Sequence, residues 1–73
     1  MKIISYIEEI KSIQRVHNRV TEKYGENEVS KYMALGGLQS LTSLAIRDND
    51  INSDDFIKIH EICEQTEANI RNK

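Results

Sequence analysis

The chain has 73 residues, of which 30% are charged, and a formal net charge of −2 at pH 7. This length predicts one domain, residues 1–73, that buries only about 60% of the surface of its unfolded chain. The single cysteine excludes an internal disulfide, and without a signal-peptide pattern it predicts a cytoplasmic protein. The charge balance gives no general attraction to nucleic acid or anionic lipid. No uncharged segment reaches the roughly 20 apolar residues of a membrane span, so no membrane association is expected.

The first predicted helix spans about residues 2–24, where apolar residues recur at intervals of three and four. His17 fills one position of this apolar stripe, and we expect it to be buried with a hydroxyl or carbonyl partner. A histidine there is also a candidate ligand or pH sensor. Gly25 follows at the position where a left-handed residue ends a helix. The apolar members of the stripe are Ile3, Tyr6, Ile10, Ile13, Val20 and Tyr24.

The second predicted helix spans about residues 27–47 and carries no charge between residues 32 and 46. Its apolar residues point in nearly every direction around the helix, so they need cover on all sides. The pair Gly36-Gly37 in its middle has two interpretations. The pair bends or breaks the helix, or Gly37 forms with Ala34 and Ser40 a small-residue surface that another helix crosses closely. The lack of charge on either side favours the close crossing.

The third predicted helix spans about residues 53–71 and follows a polar connector. Asparagine is a favourable N-cap, so Asn27 and Asn52 are expected to cap the second and third helices. With Asn52 as the cap, Ile51 and Phe56 take the two positions of a hydrophobic staple. The predicted buried stripe of this helix is Phe56, Ile59, Cys63, Thr66 and Ile70.

Three helices joined by short connectors predict an all-α fold, a compact three-helix bundle with antiparallel neighbours. A central helix that is apolar all round has more surface than two other helices cover. We therefore expect self-association through the central helix, as a two-fold dimer, because closed dimers are the commonest assembly. The predicted oligomer interface is Met33, Gly37, Leu38, Leu41 and Leu44.

Four basic residues recur at every fourth position on the outer side of the first helix, and we call them the basic ridge: Lys11, Arg15, Arg19 and Lys23. Such a ridge is a candidate site for an acidic protein partner or for the phosphates of a nucleic acid or nucleotide. Glu8 and Glu22, one turn away, offset part of its charge. The acidic balance of the whole chain counts against non-specific DNA binding, which favours a protein partner. A simply solvated face is the alternative.

Residues 50–61 match part of the EF-hand calcium loop, with short oxygen ligands at positions 1, 3 and 5 and a glutamate at position 12. The predicted metal ligands are Asp50, Asn52, Asp54 and Glu61. Asp55 stands at position 6, where the loop needs glycine, and the chain has only one such loop. Polar residues ahead of a helix are also what an N-cap requires, and the cap interpretation is favoured.

No residues in the chain form a recognisable catalytic constellation, so we expect no enzymatic activity, no catalytic residues and no cofactor. Cys63 falls on the buried stripe of the third helix, without the positive neighbours that activate a thiol. Gly36-Gly37 lacks the lysine and the spacing of a phosphate-binding loop. His60 and Cys63 are three residues apart, but no second pair with zinc-ligand spacing accompanies them.

Together these features predict a small cytoplasmic interaction protein, an adaptor, regulator or inhibitor that acts as a homo-oligomer and binds a protein partner. The small size and the many Ile, Asn and Lys residues suit a phage or mobile-element protein that blocks a host factor. Nucleic-acid or nucleotide binding through the basic ridge and calcium binding at residues 50–61 are the alternative functions.

Overall fold

Three helices make up the fold, in a computed structural model that describes residues 1–72. Helix α1 spans Ile3–Tyr24, α2 spans Glu28–Ile46 and α3 spans Ser53–Arg71. Each helix packs against both of the others, in a bundle that measures 39 × 17 × 14 Å. The fold is therefore all-α, a compact three-helix bundle, as the sequence predicts.

Local signals at the helix ends act as predicted. Gly25 has a φ of 79° and ends α1, and its N–H donates to the carbonyl of Thr21. The Oδ1 of Asn27 accepts from the N–H of Ser30 at 3.1 Å, at the start of α2. The Oδ1 of Asn52 accepts from the N–H of Asp55 at 2.8 Å, at the start of α3. Each asparagine thus satisfies a backbone donor that has no partner within its own helix.

The core lies where the three helices face one another, and eight hydrophobic residues are buried there: Tyr6, Ile10, Ala34, Leu38, Ala45, Ile59, Cys63 and Ile70. Ile51 and Phe56, the predicted staple residues, pack against this core. The stripe predicted for α3 is confirmed, since Thr66 is also buried and Phe56 is partly buried. The stripe predicted for α1 is correct up to Val20, but Tyr24 is 67% exposed.

The side chain of Cys63 is almost fully enclosed by the bundle. It is 3% exposed, and its Sγ lies 3.9 Å from the carbonyl oxygen of Leu38 on α2. Burial disfavours the thiolate and so raises the pKa of this thiol. Cys63 is therefore a core residue that joins α3 to α2.

Helix α2 runs unbroken through Gly36 and Gly37, which the sequence left open. A methyl group at Gly37 would lie 3.2 Å from Cδ1 of Ile13, a tight contact between α1 and α2. At Gly36 the same methyl group would meet nothing within 4 Å. Of the two interpretations of the glycine pair, the close crossing is therefore confirmed at Gly37. The helix that crosses there is α1 of the same chain.

The connector after α2 is joined to the start of α1 by a group of polar contacts, the Asp48 cluster. The hydroxyl of buried Tyr6 donates to Oδ2 of Asp48 at 2.7 Å, and the amine of Met1 donates to the same oxygen at 2.8 Å. The amine also lies 3.3 Å from Oδ2 of Asp50. These donors, the amine first, lower the pKa of Asp48 to about 2. Burial, followed by the bond to Asp48, raises the pKa of Tyr6 to about 12.

Candidate protein-binding surface

An apolar groove runs between α1 and α2 at the end of the bundle where these two helices connect. Its volume is about 530 Å³. The lining residues come from the second half of α1 and the first half of α2, and none of them is an acid, a lysine or an arginine. They are Ser12, Ile13, Val16, His17, Val20, Tyr24, Asn27, Val29, Ser30, Met33 and Ala34. We call this feature the groove.

His17 and Ser30 are bonded to each other in the groove lining, which also contains the polar residues Ser12 and Asn27. His17 is 4% exposed, and a hydrogen bond of 3.0 Å joins its Nδ1 to Oγ of Ser30. The backbone carbonyl of His17 accepts from the hydroxyl of Thr21 at 3.0 Å. The predicted hydroxyl partner of His17 is thus Ser30, and the pair links α1 to α2 beneath the apolar side chains.

Large apolar side chains along the groove remain open to solvent. Val16 and Val29 are 56% and 68% exposed, and Met33 is 73% exposed. Tyr32, on the adjoining side of α2, is 80% exposed. Contiguous exposed apolar side chains are typical of protein-interaction surfaces and ligand-binding grooves.

The residues predicted as an oligomer interface divide between the inside and the outside of the bundle. Leu38 is fully buried, Gly37 packs on Ile13, and Leu41 packs against the core. Only Met33 and Leu44 face solvent, and Leu44 is 46% exposed. The side of α2 that carries Leu38 is therefore covered by the other two helices of the same chain.

Exposed uncharged residues form a line along the outer side of α2. Gly36 and Ser40 are exposed and lie between Met33 and Leu44. The spacings of three and four residues place all four on one face of the helix. We call them the outer line of α2. It combines small residues in the middle with larger apolar residues at both ends.

All four side chains of the basic ridge are exposed. Each of them immediately precedes a residue that lines the groove, so the ridge follows the α1 side of the groove. Within residues 1–72, no carboxylate lies within 4.0 Å of a ridge cation, and neither Glu8 nor Glu22 pairs with one. The ammonium group of Lys23 lies 5.3 Å from the centre of the Tyr24 ring. The ridge is thus available to an acidic partner.

The predicted calcium ligands lie partly in the connector and partly in α3. A carboxylate oxygen of Asp50 accepts a hydrogen bond from the amine of Met1, and Asn52 caps α3. Asp54 and Glu61 belong to α3, which begins at Ser53. In the described part of the chain, no three His, Cys, Asp or Glu side chains come together in a way that could hold a metal ion. Calcium binding stays an untested hypothesis that would require the first turns of α3 to open.

Comparison of the chain with protein-family models, with curated proteins and with solved structures found no match. Among residues 1–72, none of the helices combines the length and the apolar content that crossing a bilayer requires.

The groove was not predicted from the sequence. Val16 lies off the stripe predicted for α1, and Val29 belongs to the helix that is apolar on all sides. The signal that was present is a pair of spacings, Val16 to Val20 and Val29 to Met33, each of four residues. Each pair extends the apolar surface of its helix sideways from the core face, which is the arrangement that leaves a groove beside two packed helices.

Proposed function

We propose that this protein is a small, non-enzymatic interaction module of the cytoplasm, an adaptor, regulator or inhibitor, that self-associates through the outer line of α2. One observation carries the proposal, namely an uncharged and exposed helix face with Gly36 at its centre and open space above it. A surface helix in a bundle ordinarily turns a charged or polar face to water. The outer face of α2 carries no charged residue from Tyr32 to Ile46. Contact with a second protein surface would cover this face.

The amount of exposed apolar surface supports this proposal. Met33 and Leu44, at the two ends of the outer line, are 73% and 46% exposed. Tyr32, on the adjoining side of α2, is 80% exposed, and since a covered aromatic side chain buries about 150–250 Å², it alone leaves on the order of 150 Å² in solvent.

The outer line suits a two-fold contact with a second copy. Met33 and Leu44 lie eleven residues, or about 16 Å, apart along α2. If two copies of α2 cross in antiparallel fashion midway between Gly36 and Ser40, Met33 of one chain faces Leu44 of the other at both ends. The small residues then meet in the middle, where two backbones can approach closely. A two-fold interface has to be self-complementary in this sense.

Native mass measured by size-exclusion chromatography with light scattering tests self-association. We expect a dimer for the wild-type chain and a monomer for Ser40→Glu, which places a charge at the centre of the crossing. Gln39→Glu is the matched control, because it adds the same charge at the neighbouring exposed position, about 100° around the helix. Circular dichroism shows whether both variants keep the helical content of the wild type.

Two results would contradict the proposal. One is a monomeric wild-type chain at all accessible concentrations. The other is a dimer that Ser40→Glu leaves intact, which would place the contact on another face of the bundle.

A further inference from the structure

The groove and the basic ridge form one composite surface. Arg15, Arg19 and Lys23 each stand one residue before a groove residue: Val16, Val20 and Tyr24. One step along a helix is a rotation of about 100°, so the cations lie beside the apolar side chains and do not enter the groove. A partner in the groove would therefore meet apolar contacts below it and positive charge along one side.

The shape of the groove fits a helix. It lies between two packed helices and follows α1 from Ser12 to Tyr24, which is about 18 Å or between three and four turns. A helix laid into such a groove becomes a fourth member of the bundle and contributes anchors at spacings of three, four and seven residues. The groove favours aliphatic anchors, because most of its apolar lining residues are themselves aliphatic and only Tyr24 has a phenol ring.

The charge of the groove is one-sided. Residues 11–24 contain four cations and one carboxylate, Glu22, for a formal charge of +3. On the α2 side the only charged residue from Val29 to Ile46 is Lys31, which lies 3.8 Å from Glu28. Arg15 and Arg19 are four residues, about 6 Å, apart along the helix. Two carboxylates at positions i and i+4 of a partner helix have the same spacing.

From this combination we propose that the groove binds an amphipathic helix of a partner protein, with its apolar side in the groove and an acidic flank against Arg15 and Arg19. The inference rests on the proposed function in that both make the protein an interaction module. It does not require self-association. Met33 belongs to both the outer line of α2 and the groove lining, but Arg15, Val16 and Arg19, which carry the inference, lie on α1.

A second copy of this chain is a poor occupant of the groove. Helix α3 carries acidic residues on its outer side, but Ile57 is the one large apolar side chain that this helix exposes within the described residues. It therefore lacks the row of aliphatic anchors that the groove requires. The outer side of α1 is itself basic and would meet the ridge with like charge. Helix α2 exposes large apolar side chains but has no carboxylate from Val29 to Ile46 to face Arg15 and Arg19.

Two synthetic peptides of 14 residues test the proposal by fluorescence anisotropy. Both carry leucines at the same helical positions. One has glutamates along one flank, and the other has lysines at those positions. We expect the acidic peptide to bind about tenfold more tightly than the basic peptide at low salt, since exposed ion pairs contribute modestly and are screened by salt. Arg15→Glu/Arg19→Glu should reverse this preference.

Control variants separate charge from groove contacts. Arg47→Glu/Lys58→Glu makes the same change in net charge at two exposed positions near the other end of the bundle, and it should keep the preference for the acidic peptide. Val16→Gln makes an exposed residue of the groove polar without adding a charge, and it should weaken the binding of both peptides. Because Val16 is 56% exposed, this variant is expected to fold normally.

Three results would overturn the inference. The first is equal affinity for both peptides in the wild-type chain. The second is binding of a duplex DNA probe that Arg15→Glu/Arg19→Glu abolishes and Val16→Gln leaves intact, which would make the ridge a nucleic-acid site. The third is a native dimer that Val16→Gln dissociates, which would make a second copy the occupant. The first two leave self-association through Ser40 intact, so the two proposals fail independently.

Discussion

The two central glycines of α2 differ in their surroundings, and alanine substitutions should report that difference as a difference in stability. Glycine in an exposed helix interior costs about 1 kcal/mol relative to alanine. At Gly36 a methyl group meets nothing within 4 Å. We therefore expect Gly36→Ala to raise the free energy of unfolding by about 1 kcal/mol, which in a domain of this size is a rise in Tm of about 4–8 °C.

At Gly37 the same gain is opposed by a contact. The new methyl group would lie 3.2 Å from Cδ1 and 3.7 Å from Cγ1 of Ile13. The Cδ1 atom is the end of a flexible side chain that also lines the groove, so it can move by a few tenths of an ångström at some cost in packing. We expect Gly37→Ala to stay within about 0.5 kcal/mol of the parent chain.

A double-mutant cycle isolates the contact. Ile13→Val removes the Cδ1 atom, so Gly37→Ala in that background should recover the full gain of about 1 kcal/mol. Urea unfolding followed by circular dichroism gives the free energies. All variants are made in the Ser40→Glu background, so that self-association does not enter the comparison.

The outcome that would refute this reasoning is an equal gain at both glycines. It would mean that α1 does not approach α2 closely at Gly37. A loss of stability in Gly36→Ala would mean that this position is either covered or not helical.

Two further predictions concern the connector between α2 and α3. The pKa of Asp48 is lowered from 3.8 to about 2 in the folded chain, so its stabilising effect is complete above about pH 4 and is lost as the pH falls toward 2. Asp48→Asn should therefore flatten the decrease of Tm between pH 4 and pH 2, whereas Asp50→Asn, at a side chain that is 75% exposed, should change it less. Asn52→Ala should cost about 1 kcal/mol of stability, because the N–H of Asp55 loses its acceptor. This cost should be the same in EDTA and in millimolar calcium, as measured by thermal unfolding.

Each of these two predictions has an outcome that would contradict it. An Asp48→Asn chain that still loses stability as steeply as the wild type below pH 4 would remove the Asp48 cluster as the acid-sensitive element. A calcium-dependent rise in Tm that Asn52→Ala or Glu61→Gln abolishes would favour the calcium loop over the helix cap.

The sequence predicted those parts of the fold that depend on local chemistry. Gly25, Asn27 and Asn52 each act through a backbone group within a few residues, so their effect can be recognised without knowing the tertiary structure. The buried stripe of α3 was also predictable, since its apolar residues keep to one face of the helix. The fold class follows from these two kinds of signal.

The direction in which α2 faces was not predictable, for a physical reason. A helix that is apolar on every side has no preferred buried side, so periodicity cannot tell Leu38, which is buried, from Met33, which is exposed. The predicted interface therefore combined residues from both sides. The bond between Tyr6 and Asp48 joins residues 42 positions apart, and no local pattern indicates such a pair.

The buried thiol of Cys63 can be used as a chemical probe of local opening between α2 and α3. A thiol reagent reacts with the thiolate, and in the closed bundle this group is both shielded and disfavoured by burial. Labelling therefore has to wait until α3 separates from α2. When reclosing is faster than labelling, the observed rate gives the equilibrium between closed and open forms, as amide exchange does for backbone groups. With one cysteine in the chain, every label reports opening at the same known place.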